Sequence, residues 1–201
     1  MQITPRAFFL FALVLVGCPS AEDDRLPSCT VPDDLEVGTV TAEVDGEEWT
    51  GATAGYQLIA GPALQVSATG ADGDGRTVNI VLRLLRASSF AVDEETDEVV
   101  RDDDQDIEDI LRDKETPYDF ALGDASEVGA NATVTISPDP SMSTGEGDGD
   151  GFLRITSIAV PDDGEDGDPE ELVGCFDLRA VTQNEDRGVD VVGGGFRLVA
   201  L

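Results

Sequence analysis

The fold class is clearest at residues 39–49, which read TVTAEVDGEEW. From Val40 to Val44, apolar and polar residues alternate, and this period of two is typical of a strand with one buried face. Asp45-Gly46 supplies a two-residue hairpin turn between this strand and the next. Trp49, the only tryptophan, follows the turn. We expect it to pack in the core or at its rim rather than to stack on a ligand.

Similar runs continue to the end of the chain, separated by turns rich in glycine, proline and aspartate. In the longest run, four apolar residues share one face: Val78, Ile80, Leu82 and Leu84. The apolar parity changes between Ile155 and Ile158, which predicts a bulge, and Gly193-Gly194-Gly195 predicts a kink before the last strand. We expect strands at residues 56–60, 64–68, 76–85, 90–92, 133–136, 152–160, 172–180 and 189–199.

One segment, residues 93–115, breaks this pattern because acidic side chains predominate in it. Ile107, Ile110 and Leu111 have the i, i+3, i+4 spacing of a helix. The preceding Asp102-Asp103-Asp104 suits the positive end of a helix dipole. The segment therefore predicts a short surface helix lying over the sheet.

Together these patterns predict an all-β fold, a mostly antiparallel β-sandwich or open barrel with one short surface helix in the acidic insert. The β-domain is expected to span residues 38–201, a length sufficient for a single buried core.

The N-terminus has the layout of a secretory signal, with Arg6 before an apolar stretch at residues 7–16. The end of this stretch, Leu15-Val16-Gly17-Cys18, resembles the lipobox of bacterial lipoproteins. That resemblance implies that residues 1–17 are a signal peptide and that Cys18 receives the lipid. Pro19 after the cysteine implies an outer-membrane destination, with the domain periplasmic or surface-exposed. Residues 18–37 are expected to form a flexible acidic tether.

Cys29 and Cys175 remain for a possible disulfide in an oxidising compartment. In the strand that begins at Leu172, the apolar face includes Phe176 and Leu178. Cys175 is therefore expected to point away from the core, where the tether could reach it. The alternative is two unpaired buried cysteines.

The net charge of −31, with no histidine and with Lys114 as the only lysine, limits the possible functions. Histidine-based nucleophile triads, the usual zinc sites and lysine-based phosphate sites are excluded. Such a surface repels nucleic acid and attracts cations or basic partners. We expect a basic protein or an envelope protein as a possible partner. Alternatively, the acidic residues only keep an exposed protein soluble.

Calcium is the most specific candidate ligand. Glu146, Asp148 and Asp150 alternate with glycine as in calcium loops. The loop does not complete an EF-hand, because the twelfth position from Glu146 is Ser157. The alternative is solvated turns in which the Asp-Gly pairs serve only conformation. No particular pair of carboxylates is indicated for hydrolysis, so we expect the protein not to be an enzyme.

Three motifs carry a family resemblance: residues 42–46 with Trp49, residues 174–178 (GCFDL), and residues 195–197 (GFR). With them the chain resembles a family of small uncharacterised bacterial lipoproteins. The resemblance implies a β-sandwich or open barrel and no catalytic residues. We therefore expect an envelope-anchored lipoprotein with a non-catalytic binding or structural role. The alternative is a calcium-dependent adhesion or binding module.

Overall fold

The structure, a computed structural model, describes residues 30–59, 63–92, 99–107, 110–111, 116–124, 129–159, 171–184 and 186–201. These residues form thirteen strands. The strands are β1 Thr39–Val44, β2 Glu47–Gly51, β3 Thr53–Ile59, β4 Ala63–Ala71, β5 Thr77–Leu84, β6 Arg86–Val92, β7 Val99–Asp106, β8 Tyr118–Leu122, β9 Ala130–Ile136, β10 Met142–Ser143, β11 Asp150–Ala159, β12 Glu171–Val181 and β13 Gly188–Leu198.

Eleven of the strands form one antiparallel sheet that nearly closes into a barrel. The strand order is β2-β1-β13-β12-β10-β9-β5-β4-β3, and β11 extends the sheet from β12 to β8. The end of the chain lies beside β3, where the Leu201 N–H donates to the Tyr56 carbonyl oxygen at 2.9 Å. The remaining strands, β6 and β7, pair with each other. The predicted all-β, mostly antiparallel fold is confirmed.

The hairpin of β1 and β2 has the predicted two-residue turn. Asp45 has φ 50° and Gly46 has φ 82°, and positive values at both positions are those of the type I′ turn that joins twisted strands. Val44 therefore pairs with Glu47, and Ala42 pairs with Trp49. Trp49 is 2% exposed and belongs to the core, as predicted.

The core contains one face of most strands, as the alternation predicted. Four residues of β5 with even numbers, from Val78 to Leu84, are at most 2% exposed. On β12, Phe176, Leu178 and Ala180 are buried in the same cluster. Their burial is the main stabilising contribution of the sheet.

Both predicted irregularities are present. The register of β11 against β12 shifts between Ile155 and Ser157, at the predicted bulge. In β13 the register against β12 shifts beside Gly193, which has φ 61°. The strand bends there without ending, because the Gly193 N–H donates to Asp177 Oδ1 at 2.5 Å.

The predicted helix in the acidic insert does not begin where the sequence indicated. Asp102, Asp103 and Asp104 lie in β7, paired with β6, and not at a helix N-terminus. Pairing between neighbouring strands has overridden the local charge pattern. Ile107, Ile110 and Leu111 are helical and buried in the core, which fits their predicted spacing. Residues 108–109 and 112–115 of the insert lie outside the described residues.

Outside the described residues also lie the segment predicted to be a signal peptide (residues 1–17), the predicted lipidation site Cys18 and the first part of the predicted tether, including Cys29. Within the described part of the chain, no helix has the length and apolar character needed to cross a membrane.

Candidate functional site

A groove of about 570 Å³ lies between the chain that precedes β1 and the outer faces of β1, β2 and β13. One wall is formed by residues 32 and 34–36. The opposite side and the floor are formed by β1 and β2 together with Val192 and Gly193 of β13. A groove of this volume is in the range of ligand sites in proteins.

The groove is acidic. Four carboxylates line it, and its described lining residues include no lysine or arginine; the four are Asp34, Glu36, Glu43 and Glu48. Glu43 and Glu48 lie directly opposite each other on β1 and β2. Like charges in this position destabilise a sheet, so the pair is not explained by the needs of folding.

The wall before β1 rests on a glycine of β13. A Cβ at Gly195 would lie 3.1 Å from Pro32 Cδ, so the absence of a side chain allows this close approach. Leu35 is 7% exposed, and its N–H donates to the Pro32 carbonyl oxygen at 3.1 Å. Burial of one leucine contributes about 1.5–3 kcal/mol. The distal part of the predicted tether is therefore packed on the domain.

Cys175 lies near the start of this wall. It is 4% exposed, its sulfur is disulfide-bonded, and it lies outside the core cluster on the face of β12 that points away from the core. A small cavity is lined by both Cys175 and Thr30. Residue 29 is outside the described residues, so its pairing with Cys175 stays a prediction.

Further along the same outer face, Arg154 of β11 lies opposite Asp119 of β8. Arg154 Nε donates to Asp119 Oδ1 at 2.6 Å, and Nη2 donates to Oδ2 at 2.9 Å. These hydrogen bonds raise the pKa of Arg154 above its ordinary value. The pair is a closed structural unit, because each charge already has a bidentate partner.

Of the predicted calcium ligands, Glu146 and Asp148 lie in the turn between β10 and β11, and Asp150 is the first residue of β11. Asp148 Oδ2 is 3.5 Å from Arg179 Nε, and the Gly149 N–H donates to the Glu146 carbonyl oxygen at 2.8 Å. The described residues contain no group of three or more carboxylate or cysteine side chains placed to hold a metal ion. The calcium site at Glu146, Asp148 and Asp150 stays a prediction.

Sequence reasoning missed both the groove and the buried ion pair. For the groove a signal existed, because a two-residue turn at Asp45-Gly46 places Glu43 opposite Glu48. For Arg154 and Asp119 no signal was visible, because β8 is short and was not predicted.

Comparison of the chain with protein families, with curated proteins and with solved structures finds no match. The resemblance to small bacterial lipoproteins therefore stays a prediction.

Proposed function

We propose that this chain is an envelope-anchored lipoprotein with a non-catalytic binding role, and that its groove binds a basic segment of an envelope protein. The observation that carries the proposal is the facing pair Glu43 and Glu48 in an open groove whose described lining includes no basic side chain. A cationic partner would relieve the repulsion between the two carboxylates.

The shape and charge of the groove limit the partner further. Leu35 and Val192 line it beside the carboxylates, and Val192 is 52% exposed. A fitting segment therefore has arginine or lysine residues around one apolar side chain. The net charge of −31 would also attract such a segment over a longer distance.

The binding test uses the purified protein and a fluorescent peptide with four arginines around a central leucine, followed by anisotropy. We expect saturable binding that weakens as the salt concentration rises, because exposed charges are screened. A peptide with glutamate in place of arginine should not bind. Equal binding of the two peptides, or no binding of either, would refute the basic-segment proposal.

The chain offers a matched pair of variants for this test. Glu43→Gln/Glu48→Gln removes two charges inside the groove. Asp33→Asn/Glu47→Gln removes two charges from residues that are adjacent in sequence to lining residues but do not line the groove themselves. We expect the first variant to lose most of the affinity and the second to keep it. Equal losses of affinity in the two variants would mean that binding depends only on the net charge of the protein.

The proposed anchor is lipid on Cys18, supported by the lipobox-like residues 15–18. Cells expressing the chain are grown with radioactive palmitate. Label should enter the wild-type protein and be absent from Cys18→Ala. Unlabelled wild-type protein would overturn the anchor without affecting the groove.

We also propose that Cys29 is the partner of Cys175, supported by Thr30, the next residue after Cys29, which lines a cavity with Cys175. Mass spectrometry of the non-reduced protein after proteolysis should find a peptide that joins residues 29 and 175. A joined peptide containing Cys18 instead would contradict this pairing.

A further inference from the structure

The segment from Thr30 to Val37, here called the strap, crosses β13 on the outer face of the sheet. Its closest packing is Pro32 on Gly195, and its one buried side chain is Leu35. The strap ends at Gly38, which has φ 81° and whose N–H donates to the Arg197 carbonyl oxygen at 2.7 Å. Gly38 therefore fixes one end of the strap to β13.

Between its ends the strap is weakly held. In the described part of the chain, no hydrogen bond between backbone groups joins residues 30–37 to a strand, and the Leu35 N–H bonds within the strap. Near the Gly38 end, the Thr39 hydroxyl of β1 donates to the Glu36 carbonyl oxygen. Most strap residues are exposed. The free energy gained by burying one leucine is small compared with the conformational entropy lost in ordering a segment of this length. A second attachment is needed to keep the strap in place.

That attachment is available at the start of the strap, where Thr30 and Cys175 line one cavity and the Cys175 sulfur is disulfide-bonded. The strap also forms one wall of the groove through Pro32, Asp34, Leu35 and Glu36. Its attachment and the shape of the groove are therefore linked.

We propose that the strap is a detachable wall of the groove, held in place through the disulfide at Cys175, so that reduction of this bond opens the groove. The inference rests on the proposed function for its effect on binding, and on the proposed partner Cys29. A dithiol reductant would supply two electrons and two protons, leave two thiols on the chain and become a disulfide itself.

Strap position is measured without any ligand, by hydrogen exchange of the Leu35 amide in the full chain. We expect exchange to become about 10-fold faster or more after reduction with a dithiol, because local opening exposes this amide. Gly195→Val should have the same effect in the oxidised protein, since its side chain would occupy the place of Pro32 while suiting a strand. Thr77→Val, on the exposed side of β5, is the control and should change nothing.

Leu35→Ala gives a second way to free the strap if Gly195→Val does not fold. Unchanged exchange at Leu35 after reduction would overturn the role of the disulfide.

The arginine peptide is then titrated against the same proteins. Reduced wild-type protein and Gly195→Val should bind it about 10-fold more weakly than the oxidised wild type. Equal affinity in all forms would overturn the strap as a wall of the groove. If no form binds the peptide, the proposed function fails, whereas the exchange result still decides whether the strap detaches.

Discussion

Two pairs of facing side chains on the outer face of the sheet differ from each other in how their charges are combined. Across β8 and β11, Asp119 faces Arg154, and the two share two hydrogen bonds. Across β1 and β2, Glu43 faces Glu48, and both are exposed. The first pair combines opposite charges, and the second combines like charges.

Burial explains this difference. The side chains of Arg154 and Asp119 are 18% and 6% exposed, and a charge so far from water requires a partner. Arg154 also lies over the ring of Phe152, 5.6 Å from its centroid. The two glutamates face the open groove, where water and a partner can reach them. Folding thus explains the first pair, and binding is our explanation for the second.

The largest effect is expected when the buried pair is broken. Arg154→Met leaves the Asp119 carboxylate without its bidentate partner. We expect the free energy of unfolding to fall by about 2–4 kcal/mol, somewhat below the cost at fully buried pairs, because Arg154 is partly exposed. Urea denaturation measures the loss.

Arg76→Met is the control for this change, because its partner Asp72 is as buried as Asp119 whereas Arg76 is 45% exposed and Arg154 only 18%. The free energy of unfolding should fall much less in Arg76→Met than in Arg154→Met. Equal losses for the two variants would show that burial of the Asp119 pair has no special cost.

A smaller effect of opposite sign is expected at the glutamates. Glu43→Gln/Glu48→Gln should raise the free energy of unfolding by about 0.2–1 kcal/mol, because facing like charges destabilise a sheet. Asp33→Asn/Glu47→Gln also removes two negative charges, so the difference in unfolding free energy between the two variants isolates the facing pair. Urea denaturation at low salt gives this difference, and a less stable groove variant would contradict the repulsion.

The smallest effect concerns the pair of Asp72 and Arg76, in which the arginine is exposed. Asp72 Oδ1 accepts hydrogen bonds from the Arg76 N–H at 2.8 Å and the Asp74 N–H at 3.1 Å, and Oδ2 accepts one from Arg76 Nε at 2.7 Å. Burial of the carboxyl raises the pKa of Asp72, but the hydrogen bonds and the charge of Arg76 outweigh it, so the pKa lies below its ordinary value of 3.8.

A carboxyl whose pKa is lowered in the folded state stabilises the fold at pH values above its ordinary pKa. This stabilisation is lost as the pH falls through the lowered pKa. Asp72→Asn should therefore reduce the melting temperature slightly and equally from neutral pH to about pH 4. The difference from wild type should shrink at lower pH. A difference that instead grows on acidification would mean that the pKa of Asp72 is raised.

The sequence by itself determined most of the longer strands, the turn at Asp45-Gly46, the bulge after Ile155 and the buried position of Trp49. These features follow from alternation and turn chemistry, which act between near neighbours in the chain. The same local reasoning failed for Asp102-Asp103-Asp104, where pairing of β7 with β6 overrode a charge pattern that suits a helix.

Only the tertiary structure decided which distant side chains meet. Arg154 and Asp119 are 35 residues apart in the chain, and Pro32 packs on Gly195 from the opposite end of the domain. Such contacts depend on the order and register of strands, which the packing of the whole sheet fixes. The groove has the same origin, because its walls come from the strap, the hairpin of β1 and β2, and β13.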